Sequence, residues 1–163
     1  MKSLPALLAA LILAACGSPA ATELPTPQAI TDEAVGHYCS MNLSEHTGPK
    51  AQIFLNGQPD KPVWFSTVRQ MFGYTKLPEE PKGIQVIYVT DMGKVQDWNT
   101  PNADNAWTQA DQAFYVIESG FTGGMGSEDA LPFAQRSDAE AFVARNGGRI
   151  VRFDEMPESY IFQ

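Results

Sequence analysis

Basic residues are scarce in this 163-residue chain: 11 Lys and Arg stand against 19 Asp and Glu, a formal net charge of −8. Binding to phosphates needs a basic footprint, so nucleic acid is not expected as a partner. Long apolar runs are also lacking. The apolar h-region at residues 7–13 is too short to cross a bilayer as a mature helix. With 2 cysteines, Cys16 and Cys39, no disulfide framework can be built. A phosphate cradle is missing too. The Gly-rich loop Gly120–Gly126 leads into no Lys-Ser/Thr and opens no long helix.

What the N-terminus does contain is a targeting signal. Lys2 supplies its positive end, and residues 1–15 read as a signal peptide. Leu13-Ala14-Ala15-Cys16-Gly17 looks like a bacterial lipobox, with Cys16 the lipid-carrying first residue of the mature chain. An ordinary secretory signal cleaved after Ala-x-Ala is the competing reading. Gly17, rather than Asp, at the second mature position resembles the sorting pattern of an outer-membrane lipoprotein. The expected location is therefore periplasm-facing and membrane-anchored. A tether suits an acidic chain, which anionic lipid surfaces repel. Residues 16–36, rich in Pro and small residues, read as a semi-stiff linker holding the folded part off the membrane.

If lipid occupies the Cys16 sulfur, Cys39 is a lone thiol in an oxidising compartment. Such a thiol is buried, ligated to metal or reactive. Its surroundings favour ligation. Residues 37–50 hold His37, Cys39, Met41 and His46. In an extended segment, Cys39 and Met41 would point to the same side, where two flexible sulfur groups can close on one ion. Thiolate and thioether are soft ligands and select Cu(I) over Mg, Ca or Mn. His37 or His46 could complete a three-coordinate site. A buried Cys and a buried Met beside a turn form the competing reading.

Two similar patterns follow. Ala51, Ile53 and Leu55 alternate along a strand, Asn56-Gly57 turns, and residues 62–65 form a second strand. Ser66 or Thr67 caps a short helix that Gly73 or Tyr74 closes, and residues 84–89 are an apolar strand. Later come strands at 113–117 and 130–133, then a Ser137/Glu140 capping box. Gly147 or Gly148 stops that helix before a last strand at 149–153. Val68, Met71 and Phe72 in the first helix match Ala139, Phe142 and Val143 in the second. The fold class is α+β, with first and second units at 37–97 and 98–163. Each alone has a marginal core, so they should share an interface. Trp98 and Trp107 are expected to pack in the crevice between them. Met125, flanked by glycines, is either a turn residue or a mobile ligand.

Three stretches resemble the NosL family, the nitrous-oxide reductase accessory lipoproteins. These are Cys39-Ser40-Met41 with residues 45–53, Gly123–Phe133, and Asn146–Phe153. The resemblance covers nearly all of the chain from His37 onward. It implies two related ββαβ units packed side by side and a Cu(I)-binding chaperone, with Met125 as a third soft ligand. It further implies nitrous-oxide reductase as acceptor and the ABC-transporter complex of its maturation system as docking partner. A structural scaffold lipoprotein of the same machinery is the alternative. Many members carry Gly between the Cys and the Met; Ser40 departs from that, which bears on backbone freedom at the site. The family's fold is similar to that of organomercurial lyase, which uses a cysteine pair. Only Cys39 is available here, so an enzyme is not expected.

Overall fold

The computed structural model describes residues 23–99 and 106–163. The signal peptide, Cys16 and the lipobox lie outside the described residues. Two antiparallel sheets are built from strands β1 (Ala51–Leu55), β2 (Val63–Phe65), β3 (Ile84–Thr90), β4 (Trp107–Gln109), β5 (Phe114–Ile117), β6 (Leu131–Phe133) and β7 (Arg149–Val151). The first sheet runs β2-β1-β3-β4 and the second β6-β5-β7. Helix α1 (Val68–Lys76) follows β2, and α2 (Arg136–Asn146) follows β6. The two units are thus each ββαβ, as the sequence pattern implies. A short α3 (Glu158–Ile161) closes the chain.

Several local readings meet the structure with differences. β4 pairs with β3, Tyr88 opposite Gln109. The first sheet therefore ends beyond the 97/98 break read from the sequence. Gly73 does not end α1; the helix continues to Lys76, and Leu77 N–H closes it on the Gly73 carbonyl. Gly73 is buried within the helix, and a Cβ there would make only ordinary contact with Ile161 of α3, at 3.9 Å. The Ser137 capping box does not form. α2 starts two residues earlier than that cap requires, at Arg136 with Gln135 as N-cap, and the Arg136 guanidinium takes Glu140 at 2.8 Å. Glu140 is then not the group that reaches back to Ser137. The stop at Gly147 is as expected, at φ +80°.

The linker reading also changes. Gln28 N–H donates to Gln52 Oε1 at 2.9 Å, Gln52 Nε2 donates to the Gln28 carbonyl at 3.0 Å, and Tyr88 Oη donates to the Pro25 carbonyl. From about Pro25 the segment therefore lies on the outer face of β1 and β3. It satisfies Gln52, which is buried in the middle of β1. The Gln28 backbone supplies both the donor and the acceptor, so Gln52 is buried beside Phe54 with its amide satisfied.

Both units contribute to one core. Ile53, Phe65, Val68, Met71 and Phe72 of the first unit join Tyr115, Ile117, Val151 and Tyr160 of the second. Phe72 meets Tyr115 edge-on at 5.1 Å between ring centroids. The shared interface expected from the small size of each unit is present. Neither Trp98 nor Trp107 lies in it. Trp98 stacks on Phe142 and packs on Phe121 in a second cluster under α2. Trp107 packs against Phe54, Val86 and Tyr88 on the far side of the first sheet. Each tryptophan covers its own unit's outer apolar face, where more open area needs covering.

Candidate metal-binding site

Cys39 does not sit in an extended segment. Val35 pairs with Asn42, and the chain between them closes on itself. Gly36 N–H donates to the Met41 carbonyl at 2.9 Å, and Ser40 N–H donates to the Gly36 carbonyl at 2.8 Å. Ser40 bends this turn at φ +54°, the left-handed region. The i, i+2 alternation expected of a strand is therefore broken. The half-buried Cys39 Sγ turns inward and approaches Ser66 Oγ at 3.3 Å, whereas Met41 is 45% exposed. A Cβ at Gly36 would lie 2.5 Å from that sulfur, so the missing side chain makes room for it. The left-handed turn at Ser40 also explains why glycine suits this position.

Beyond the turn, Leu43 is fully buried and anchors a single 3-10 turn at Leu43–Glu45, capped by the Asn42 side chain. The backbone then runs through His46, Thr47 and Gly48 into β1. The loop of the second unit meets it there. A Cβ at Gly124 would lie 2.5 Å from the Thr47 carbonyl oxygen and 3.0 Å from His46 Cβ. At Gly48, a Cβ would touch Gly124 N and Gly123 Cα. The two loops are thus packed backbone on backbone, and Met125 is the next residue. It is half-buried. The Gly-rich loop is closed by Gly123 N–H on the Ser127 carbonyl and Gly126 N–H on the Gly123 carbonyl.

Two buried charges hold this junction. Lys50 is fully buried and donates Nζ to the Thr47 and Gly48 carbonyls, both at 2.8 Å. Burial pushes its ammonium down to about 8, with the charges of Asp129 and Cys39 opposing. Asp129 belongs to the second unit yet caps α1 of the first. Its carboxylate accepts the Val68 N–H at 3.1 Å and the Arg69 N–H at 2.8 Å, and the Ala130 N–H as well. Burial pushes its carboxyl up to about 6, and the three backbone donors limit the rise. Thr67 Oγ1 accepts the next N–H, that of Gln70, so α1 is capped from both units.

The two histidines differ. His37 Nε2 lies 3.2 Å from Glu80 Oε1, and its ring packs against Tyr38 and Tyr74. Tyr38 Oη donates to the same Glu80 oxygen at 2.7 Å. The Tyr38 bond first, then the His37 ring, hold the Glu80 carboxyl below the usual carboxylate range. His37 thus latches the turn to the loop before β3. His46 Nε2 is buried and has no hydrogen-bond partner. Among the described residues, no three of His, Cys, Asp and Glu converge on a metal-sized space. A site here therefore depends on thioethers. Gly36, Ser66, Lys50, Asp129 and Gly124 shape the junction, and sequence reasoning missed all five. Only the close glycines of 123–126 and the lysine in Gly48-Pro49-Lys50 hinted at them.

A family model described as NosL matches residues 27–161. The copper-binding lipoprotein NosL of Achromobacter cycloclastes is 45% identical over 151 residues, covering 92% of this chain and 77% of that protein. The copper-binding lipoprotein NosL of Stutzerimonas stutzeri is 32% identical over 135 residues, covering 83% and 68%. The crystal structure of the copper chaperone NosL from Shewanella denitrificans aligns with a TM-score of 0.76 at 32% identity. That match covers 84% of this chain and 99% of the other.

Proposed function

This chain belongs to the NosL family, and from that premise we propose that it binds one Cu(I) through Cys39, Met41 and Met125 and hands the ion to a partner. The observation that carries the reading is the contact of Gly124 with Thr47. It sets the Met125 loop against His46 and Thr47, a few residues along the chain from the turn that bears Cys39 and Met41. A thiolate with one or two thioethers holds Cu(I) firmly, yet leaves positions where an acceptor's ligands can enter stepwise. A closed four-ligand site would instead resemble a structural metal. The exposure of Met41 supports such an entry route.

His46 is the alternative third ligand, supported by its orphaned Nε2. His37 is a weaker candidate, because its Nε2 already faces Glu80. The acceptor is nitrous-oxide reductase during assembly of its copper centre, with the ABC-transporter complex of that system as docking partner. The chain is tethered through Cys16, facing the periplasm from the outer membrane. The reading is non-enzymatic. Cys39 faces a serine hydroxyl rather than an imidazole base.

The test is anaerobic Cu(I) titration against a chromophoric chelator. Wild type takes up one Cu(I) per chain, and Cys39→Ala with Met41→Leu takes up none. Undiminished binding by that double variant would falsify the Cys39 and Met41 assignment, and a wild type that takes up no Cu(I) would leave a scaffold protein. Met125→Leu and His46→Gln, titrated in parallel, decide the third ligand: the true one weakens binding and the other does not.

A further inference from the structure

Cys39 Sγ lies between the bare backbone of Gly36 and one hydroxyl. Ser66 is fully buried, its Oγ is 3.3 Å from the sulfur, and it donates to Gln70 Oε1 at 2.9 Å. In the empty protein the chain of bonds runs outward: Sγ–H to Ser66 Oγ, then Ser66 Oγ–H to the Gln70 carbonyl oxygen. Thr67 Oγ1 takes the Gln70 backbone N–H, so the amide side chain is left to face Ser66. Resting on the Cu(I) reading above, we propose that Ser66 and Gln70 are a reversible hydrogen-bond relay. It keeps the Cys39 sulfur in one place whether it carries a proton or the metal.

The argument is one of donors and acceptors. When Cu(I) is loaded, the S–H bond breaks, an S–Cu bond forms, and the proton passes to water; nothing is oxidised or reduced. The sulfur then has no donor and becomes a charged acceptor. Ser66 Oγ–H can rotate onto it, since a hydroxyl both donates and accepts. That leaves Ser66 Oγ as an acceptor facing Gln70. The amide, half-buried at the start of α1, turns over and presents Nε2–H in place of Oε1. Every bond reverses direction while Cys39 Sγ and Ser66 Oγ keep their places and only the Gln70 amide turns. A carboxylate at 70 would serve the empty state and have no donor for the loaded one. On delivery, the S–Cu bond breaks, the sulfur recovers a proton from water, and the chain swings back. Ser66 and Gln70 are positioning residues in this scheme, because neither needs to touch the ion. Hydrogen bonds to a metal-bound ligand tune its hold in this way.

The test uses the purified chain with Cu(I) alone. Ser66→Ala should weaken Cu(I) binding on the order of 10–100-fold, the loss expected for a hydrogen bond to a charged group. Ser66→Thr, which keeps the hydroxyl, should restore it. Gln70→Met should weaken binding less, and adding it to Ser66→Ala should cost nothing more, because the relay is already cut. The sulfur-to-Cu(I) charge-transfer band should move to lower energy in Ser66→Ala, since the thiolate loses its donor. Thermal midpoints of the empty proteins separate these effects from misfolding; if Ser66→Ala does not fold, Gln70→Met carries the test. Wild-type affinity and an unmoved band in the variants, or strictly additive losses, would overturn the relay alone. A wild type that takes up no Cu(I) would overturn the relay together with the copper reading.

Discussion

Gly124→Ala is the most direct probe of the proposal that the two units share one metal site. Gly124 is not in the left-handed region, so alanine there brings no backbone strain of its own. What it brings is a methyl 2.5 Å from the Thr47 carbonyl oxygen, 3.0 Å from His46 Cβ and 3.2 Å from Thr47 N. Two of these are backbone atoms and cannot swing aside. The loops must part by roughly half an ångström or more to restore contact distance. Overpacking of this kind costs about 1–3 kcal/mol. A domain of this size loses about 2–4 °C of Tm per kcal/mol. Gly126→Ala is the control. It sits at φ +74° with nothing within 4 Å of a Cβ, so it pays only backbone strain, about 1 kcal/mol. Melts with and without Cu(I) provide the assay. Ligand that binds only the folded state raises Tm by mass action. Gly124→Ala should lower the apo midpoint and lose most of the copper-induced rise, because Met125 moves with its loop. Gly126→Ala should lower the apo midpoint slightly and keep the rise. A Gly124→Ala protein with the wild-type midpoint and full copper response would refute the loop contact as the basis of the site.

Two further outcomes follow from the junction and the turn. Asp129, ordinarily near 3.8 and pushed up to about 6, adds stability below pH 4 that is lost as pH rises through 6. Lys50, ordinarily near 10.5 and pushed down to about 8, adds stability above pH 10.5 that is lost as pH falls through 8. Both contributions are absent between pH 6 and 8, and each shift is worth about 3 kcal/mol. Denaturant melts across pH should show the pH 4–6 slope diminished in Asp129→Asn and the pH 8–10.5 slope diminished in Lys50→Met; unchanged slopes would contradict the assignments. Ser40→Gly relieves the left-handed φ at a residue whose side chain faces solvent. It should raise stability by up to about 1 kcal/mol, less the extra freedom of the unfolded chain. Cu(I) affinity should stay unchanged. A lower Tm would mean that the Ser40 hydroxyl holds the turn.

Much of the secondary structure is legible in the chain because its signals are local. Ala51 and Ile53 alternate into the core, and Thr67 caps α1 two residues after β2 ends. Gly147 stops α2. Cys39 and Met41 announce soft-ligand chemistry by residue type alone. The readings that the structure corrects rest on the same local logic at places where distant residues decide. Gly73 looks like a helix stop, yet α1 runs on to Lys76. Ser137 and Glu140 look like a capping box until Arg136 takes the glutamate.

What the sequence determined by itself is most of the elements and their order, without β4 and α3, and the soft-ligand chemistry of Cys39 and Met41, since each depends on residue type and spacing along a few residues. Only the tertiary structure decided which groups meet around the candidate site. Asp129 reaches the N-terminus of α1 across 60 residues, and Tyr38 and His37 reach Glu80 across more than 40. Lys50 becomes a buried cation because the second unit covers it, and Gly124 becomes indispensable because another loop's backbone lies against it. Burial and contact between such distant residues arise only once two small units, each short of a core, close on one another. Spacing along the chain carries no record of that closure.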